Sequence, residues 1–333
     1  MWQRSFACLG VLPRLPSFRQ ASNFRLAGSP LRVGGDNDDV SFEILSTKSN
    51  AVTGEPMRIY ALSGYVSCLY LCHYPERQGD GPSVVALDCG TPTDADRIAC
   101  FLRDYRDGDG KPVFDQGSAS AAGGPPSGVL GANLGLAVAT HVHPDHCGAA
   151  RRYARGSGVP IAAAANMERY YDGPWGYAQM VSERFLVSIF AYMLGRTRIE
   201  RPDISRDLAL DPPKTLEGVD RYPRLKDGSR LPLGFHDWTA VACHGHTGHM
   251  VGLYHPAARI FYCADLIIAR GRGRFQGPLP IDLLEEYLFS IELLRGLKVS
   301  WLLCAHGGIV NVEDFAGGWD WVLDEVAEYA RTT

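Results

Sequence analysis

Four side chains that bind metals well crowd into six residues directly after an apolar segment: Thr140-His141-Val142-His143-Pro144-Asp145-His146. Leu136–Thr140 reads as a strand. His141 and His143 are two apart at its end, so the pleat points both to one face. Pro144 cannot continue the strand, and Asp145 and His146 then fall at the mouth of the next helix. One tetrahedral zinc does not need four donors from a single turn once distant ligands arrive, so the spacing suits two ions sharing a site. The chain must therefore fold so that one strand end delivers its donors to a common point.

The flanking pattern says what kind of fold does this. Val40–Leu45, Arg58–Leu62, Ser67–His73 and Ser83–Leu87 read as strands, and Asp94–Tyr105 as a helix. Residues 116–135, rich in glycine, read as a flexible loop. A helix is expected from the cluster through Arg155, then a strand at Val159–Ala164. Residues 166–223 interrupt the alternation as a helical insertion with a heavy aromatic load: Tyr170, Tyr171, Trp175, Tyr177, Phe185, Phe190 and Tyr192. Strands return near Leu231, Thr239–Cys243, Met250–Tyr254, Arg259–Ala264 and Val299–Ala305. Helices are expected around Leu284–Leu294 and at Trp319–Tyr329. Runs of strands with helices between and after them predict an α/β protein with sheet packed on sheet and helices outside.

Residues 1–35 differ from the rest. They hold Arg4, Arg14, Arg19, Arg25 and Arg32, four serines and no acid. That composition fits a mitochondrial transit peptide or, failing that, a disordered tail on a cytoplasmic protein. Removing those five arginines from 33 Lys and Arg against 37 Asp and Glu takes the formal charge from −4 to −9. So acidic a body, residues 36–333, argues against nucleic acid as a partner. The longest apolar run, Phe185–Leu194, is too short to span a bilayer. The nine cysteines form no paired framework and suit a reducing compartment. A small-molecule substrate is the expected partner; the oligomeric state is left open.

The cluster resembles that of the metallo-β-lactamase superfamily, nearest its glyoxalase II-like hydrolase branch. Later motifs match too. Gly245-His246-Thr247 resembles the second histidine motif, Ala264-Asp265 the bridging aspartate, Ala305-His306-Gly307 the last histidine, and Asp88-Cys89-Gly90 the early strand end. The resemblance covers roughly Val40 to Gly308, with the loop and the insertion outside it. It implies an αββα four-layer sandwich. It further implies that His141, His143 and His246 hold one divalent ion, that Asp145, His146 and His306 hold another, and that Asp265 bridges them. Asp88 would orient a ligand histidine. Zinc is the expected metal and iron the alternative. The implied reaction is attack by a metal-activated hydroxide on an ester, thioester or lactone carbonyl, with Asp145 helping to orient the nucleophile and pass a proton. The insertion would form a lid lined by aromatics.

This chain departs from the family pattern in places. The second motif is one residue short, leaving His244 and His249 as neighbours of His246. Ala264 stands where glycine is common. Asp265 replaces the cysteine of the major zinc β-lactamases, which moves the reading away from antibiotic hydrolysis. Only 27 residues follow His306, so the C-terminal domain of glyoxalase II proper is not expected. Cys263 and Cys304 precede two of the ligands by two residues and read as packing residues. Two other chemistries use the same fold: a mononuclear iron persulfide dioxygenase and a nuclease.

Overall fold

The structure is a computed structural model. It describes residues 31–33, 40–46, 57–77, 81–115, 126–167, 170–171, 173–193, 224–271, 273–278 and 280–333. Seven described strands form the first sheet in sequence order: β1 (Leu31–Val33), β2 (Val40–Ser46), β3 (Arg58–Ser63), β4 (Cys68–His73), β5 (Val84–Leu87), β6 (Leu134–Ala139) and β7 (Ile161–Ala163). The second sheet runs β14 (Gly308–Asn311), β13 (Trp301–Cys304), β10 (Ile260–Tyr262), β9 (Val251–His255) and β8 (Thr239–Ala242). A hairpin of β11 (Ile268–Arg270) and β12 (Arg274–Gln276) stands apart.

Alternation along the strands builds the layers. Ile59, Ala61, Tyr70, Cys72, Val85 and Leu87 face the second sheet and pack with Trp238, Leu253 and Phe261. The intervening Tyr60, Leu62, Leu69, Leu71 and Ala86 face outward, under Ile98, Phe101 and Leu102 of α1 (Pro92–Asp104) and Val129 and Leu130 of α2 (Pro126–Asn133). With both faces covered, Ile59–Leu62, Leu69–Cys72 and Val84–Leu87 are apolar throughout. On the far side, α5 (Leu284–Leu294) and α6 (Gly318–Thr332) cover the second sheet through Tyr287, Ile291, Val322 and Val326. The order is helix, sheet, sheet, helix. The expected four-layer αββα arrangement is present.

Several local expectations change. The helix after the cluster does not run unbroken to Arg155. It is a single turn, α3 (Pro144–Cys147), followed by a turn and a wide π-type turn at Arg152–Gly156. The reason is competition for backbone groups: Ala149 N–H donates to Gly90 O, and Cys89 N–H donates to His146 O, each at 2.8 Å. Part of the glycine-rich 116–135 loop is helix α2, because Val129 and Leu130 bury against the first sheet's helical layer and override weak propensity. Asn133 secures its end by donating to Val129 O and Asp115 O. Residues 116–125 lie outside the described residues. Near Leu231 there is no strand, only an isolated bridge between Arg230 and Thr239. Strand β1 falls inside residues 1–35 and pairs with β2; residues 1–30, the bulk of the expected transit peptide, lie outside the described residues. Of the insertion, α4 (Gly173–Met193) is helical as expected, and residues 194–223 lie outside the described residues. No helix among the described residues is long and apolar enough to cross a membrane.

Helix α2 gives the fold a direct test. Leu130 is buried, so Leu130→Ala should cost about 2–5 kcal/mol of unfolding free energy in a denaturant titration. A flexible loop would show almost no change.

Candidate metal centre

Every side chain of the predicted site sits just past a strand end, on the rim where the two sheets meet. Strand β6 stops at Ala139, and Pro144 at the start of α3 turns the chain so that His143 caps it in an extended conformation. His246 comes from the β8–β9 turn. Gly245 there has φ +118°, and a Cβ on it would lie 2.4 Å from Tyr287 Cα, so only glycine lets this turn press onto α5. Asp265 follows β10, and His306 follows β13. Gly307, at φ +135°, brings its backbone against Ala269, where a Cβ would meet a carbonyl oxygen at 2.3 Å.

These residues converge into two groups whose ligand atoms lie within 4.8 Å of one another: His141, His143, His246 and Asp265; and Asp145, His146 and His306. Asp265 faces both. Its Oδ2 is 3.7 Å from His141 Nε2 and 3.5 Å from His246 Nε2. Its Oδ1 is 3.0 Å from His146 Nε2 and 3.3 Å from His306 Nε2. Asp145 Oδ2 lies 3.4 Å from both His146 Nε2 and His306 Nε2. His143 turns its Nδ1 inward, 3.1 Å from His141 Nε2 and 3.0 Å from His246 Nε2. The choice among the three neighbouring histidines is resolved in space. His246 joins the group, His244 stays outside it, and His249 packs against Tyr170 with ring centroids 5.4 Å apart.

The outward nitrogens are anchored. His146 Nδ1–H donates to Asp88 Oδ2 at 2.7 Å. Thr140 N–H and the Thr140 hydroxyl donate to the same carboxylate at 2.8 Å, and Tyr262 donates from the second sheet at 2.5 Å. His141 Nδ1–H donates to Thr140 Oγ at 3.1 Å. His246 Nδ1–H donates to Pro280 O at 2.8 Å. Each bond makes the outer nitrogen the donor and orients the ring so that the inner nitrogen can serve as an acceptor once it carries no proton. Thr140, Tyr262 and Pro280 had no motif to announce them in the sequence. Asp88 itself carries a φ of +92°, a left-handed conformation that costs on the order of 1–3 kcal/mol and is held by the hydrogen bonds from Thr140, His146 and Tyr262.

The donor set fits a pair of cations. His146 Nε2 and Asp265 Oδ1 are buried without a hydrogen-bond partner, although 3.0 Å apart. Such a group is expensive to leave bare. Burial opposes charge on His146 and His306, but Asp265 and Asp145 outweigh it; His146 is held well above the usual histidine range and His306 is raised to about 10. Burial also pushes Asp145 and Asp265 up, and the histidines overcome it and hold both far below the usual carboxylate range. In the first group burial dominates, and His141 is lowered to about 4 with His143 lower than its ordinary value as well. One half is thus prepared as neutral imidazoles. The other half holds protons that a metal must displace.

The insertion reaches this centre. Tyr170 stands over His143 at 6.2 Å between ring centroids, and Glu183 of α4 places Oε2 3.7 Å from His143 Nε2. Burial raises Glu183 above the usual carboxylate range, opposed by hydrogen bonds from Tyr171 and Gln179. Of the aromatics expected to line a lid, Trp175, Tyr177 and Phe185 are 72%, 47% and 59% exposed. The side chains of Phe190 and Tyr192 lie outside the described residues. Glu183 was not singled out in the sequence, where Gln179 one turn before it and Ser182 and Arg184 beside it make a polar residue there unremarkable. Cys263 and Cys304 are buried packing residues, and burial pushes the Cys263 thiol up.

Residues 87–306 match the family model described as the metallo-beta-lactamase superfamily. The chain belongs to that superfamily. Solved structures that resemble this superfamily member include a metallo-beta-lactamase family protein from Thermus thermophilus, 15% identical, with 87% of this chain and 79% of that one covered and a TM-score of 0.48. An archaeal superfamily protein from Sulfolobus tokodaii is 15% identical over 87% of this chain and 98% of its own, with a TM-score of 0.47. TTHA1623, solved in a di-iron-bound form, is 18% identical over 75% of this chain and 92% of its own, with a TM-score of 0.41. No curated protein matches the chain. The superfamily is largely one of metal-dependent hydrolases, and the His/Asp groups here form a candidate dinuclear site.

Proton displacement makes a prediction about metal loading. Below about pH 10 the metal-free His306 carries a proton, and a binding cation must expel it. Adding zinc to the metal-free protein should release protons into a weakly buffered indicator solution. Apparent affinity should fall as pH drops from about 8 to about 6. Asp88→Asn, which weakens the anchor of His146, should lower metal affinity about 10- to 100-fold in a chelator competition.

Proposed function

We propose that this protein is a dinuclear-metal hydrolase acting on the carbonyl of a small ester, thioester or lactone, in the glyoxalase II-like branch of its superfamily. One observation carries the reading above all others: each oxygen of Asp265 faces a different histidine group. A carboxylate placed in this way could serve both ions of a two-ion site. His141, His143 and His246 would hold one ion; Asp145, His146 and His306 would hold the other.

Bound divalent ions supply the acidity that makes water a nucleophile near neutral pH and the positive charge that draws on a carbonyl oxygen. The chain supplies the rest. Asp88, Thr140 and Tyr262 keep His146 and His141 in one orientation. Asp145 uses Oδ2 toward His146 and His306, which leaves its other oxygen to orient a water and accept a proton. Substrate approaches from the side of His306, whose side chain is 28% exposed and the most open of the seven. Tyr170 lies beside His143, ring centroids 6.2 Å apart. Asp265, an oxygen donor, suits zinc and iron alike.

Elemental analysis with a substrate panel tests the reading. About two zinc or iron ions per chain are expected. Turnover of at least one thioester, ester or lactone should vanish with chelation and return with metal. Asp145→Asn should lower kcat by roughly 10²–10⁴ and weaken binding of the ion it would share with His146 and His306. A single iron per chain with oxygen consumption on a persulfide would instead establish the dioxygenase chemistry, and cleavage of RNA the nuclease.

A further inference from the structure

The ligand histidines of the first group are not all oriented by the same part of the protein. His141 is held by Thr140, at the end of β6. His246 is held by the carbonyl of Pro280, in the segment leading to α5. The outer nitrogen of His143 faces neither sheet nor core helix. It faces Glu183, in the middle of the inserted helix α4.

Glu183 is itself fixed. Tyr171 donates its hydroxyl to Oε2, and Gln179 donates from Nε2 to Oε1 at 2.9 Å. Gln179 also donates to the Tyr170 hydroxyl at 3.1 Å, and Tyr170 in turn donates to Asp282 Oδ2 at 2.9 Å. Asp282 lies two residues from Pro280, and its N–H donates to Gly245 O at 2.7 Å, next to His246. The contacts therefore close a ring: His143, Glu183, Gln179, Tyr170, Asp282, the Gly245–His246 turn, and back to His143 at 3.0 Å. Two of the three histidines in that group lie on it. Within it Gln179, Tyr170, Asp282 and Glu183 are hydrogen-bonded in series and the Glu183–His143 step is a 3.7 Å charge contact, an arrangement in which removing one group disturbs the others.

We propose that Glu183 is a positioning residue that faces His143 Nε2 at 3.7 Å, a charge contact longer than a hydrogen bond, and thereby couples the inserted helix α4 to the ion that His141, His143 and His246 would hold. The inference rests on the two-metal reading above. A cation held at Nδ1 would make the imidazole more positive and strengthen its attraction to the Glu183 carboxylate. By linkage the effect runs both ways: metal favours the docked helix, and the docked helix favours metal. The insertion is then a part of the metal centre that was added outside the family's sandwich, and not only a cover over it.

The test uses full-length protein stripped of metal, titrated with Co(II), and read by absorption and by amide hydrogen exchange with and without the ion. Wild type should bind two ions and show slower exchange over residues 173–193 on loading. Glu183→Ala should keep its far-ultraviolet circular dichroism, bind one of the two ions about 10- to 100-fold more weakly, and lose the metal response of 173–193. Tyr171→Phe, which removes a donor that holds Glu183 without touching any ligand, should shift the same two readouts in the same direction by a smaller factor, and it carries the test if Glu183→Ala fails to fold. Two-ion binding with unchanged affinity in both variants, and the same exchange response as wild type, overturns the coupling alone. A wild-type protein that binds no divalent ion overturns both this inference and the hydrolase reading.

Discussion

Asp88 is the buried charge on which the rest of the centre depends. It ends a strand of the first sheet in a left-handed conformation, accepts from Thr140 at the start of the ligand cluster, from His146 within it, and from Tyr262 on the second sheet. A buried carboxylate is costly unless its acceptor sites are filled. Filling them here requires both sheets to meet in one register with the cluster between them. The same bonds that satisfy Asp88 therefore fix the separation of the sheets at the rim and the tautomers of His146 and, through Thr140, His141.

The two halves of the centre achieve charge balance differently. In one, burial keeps His141 and His143 neutral and ready to donate lone pairs. In the other, Asp145 and Asp265 hold His146 and His306 protonated, so positive charge is already drawn to the place where a cation belongs. Asp265 lies between them with one oxygen for each. The asymmetry also appears in access, since His306 opens to solvent while His141 is sealed. His143, which α4 approaches, is intermediate, its side chain 14% exposed.

Much of this was legible in the chain, for identifiable reasons. The His141–His146 spacing is local, so the strand pleat and Pro144 alone dictate that four donors emerge together. His306 and Asp265 each follow an apolar strand, which places them on the same rim by the logic of strand ends. The misreadings arose where a local tendency met a distant partner. Glycine-rich 126–133 became helical because Val129 and Leu130 found a buried surface. The helix after His146 stopped because the Cys89–Gly90 turn took its backbone groups. The aromatic insertion looked like a lining, yet Trp175 and Phe185 face solvent while Glu183 does the reaching.

By itself the sequence determined the crowding of donors at His141–His146 and the sheet-on-sheet architecture, which follow from residue chemistry and short-range periodicity, while His246, Asp265 and His306 were picked out only by resemblance to the family's motifs. Only the tertiary structure decided which of His244, His246 and His249 faces the centre, that Asp265 presents separate oxygens to separate groups, and that a helix outside the sandwich reaches His143. Those are relations between residues 19 to 124 positions apart. They are set by packing and by the need to satisfy buried polar atoms, and no local pattern encodes them.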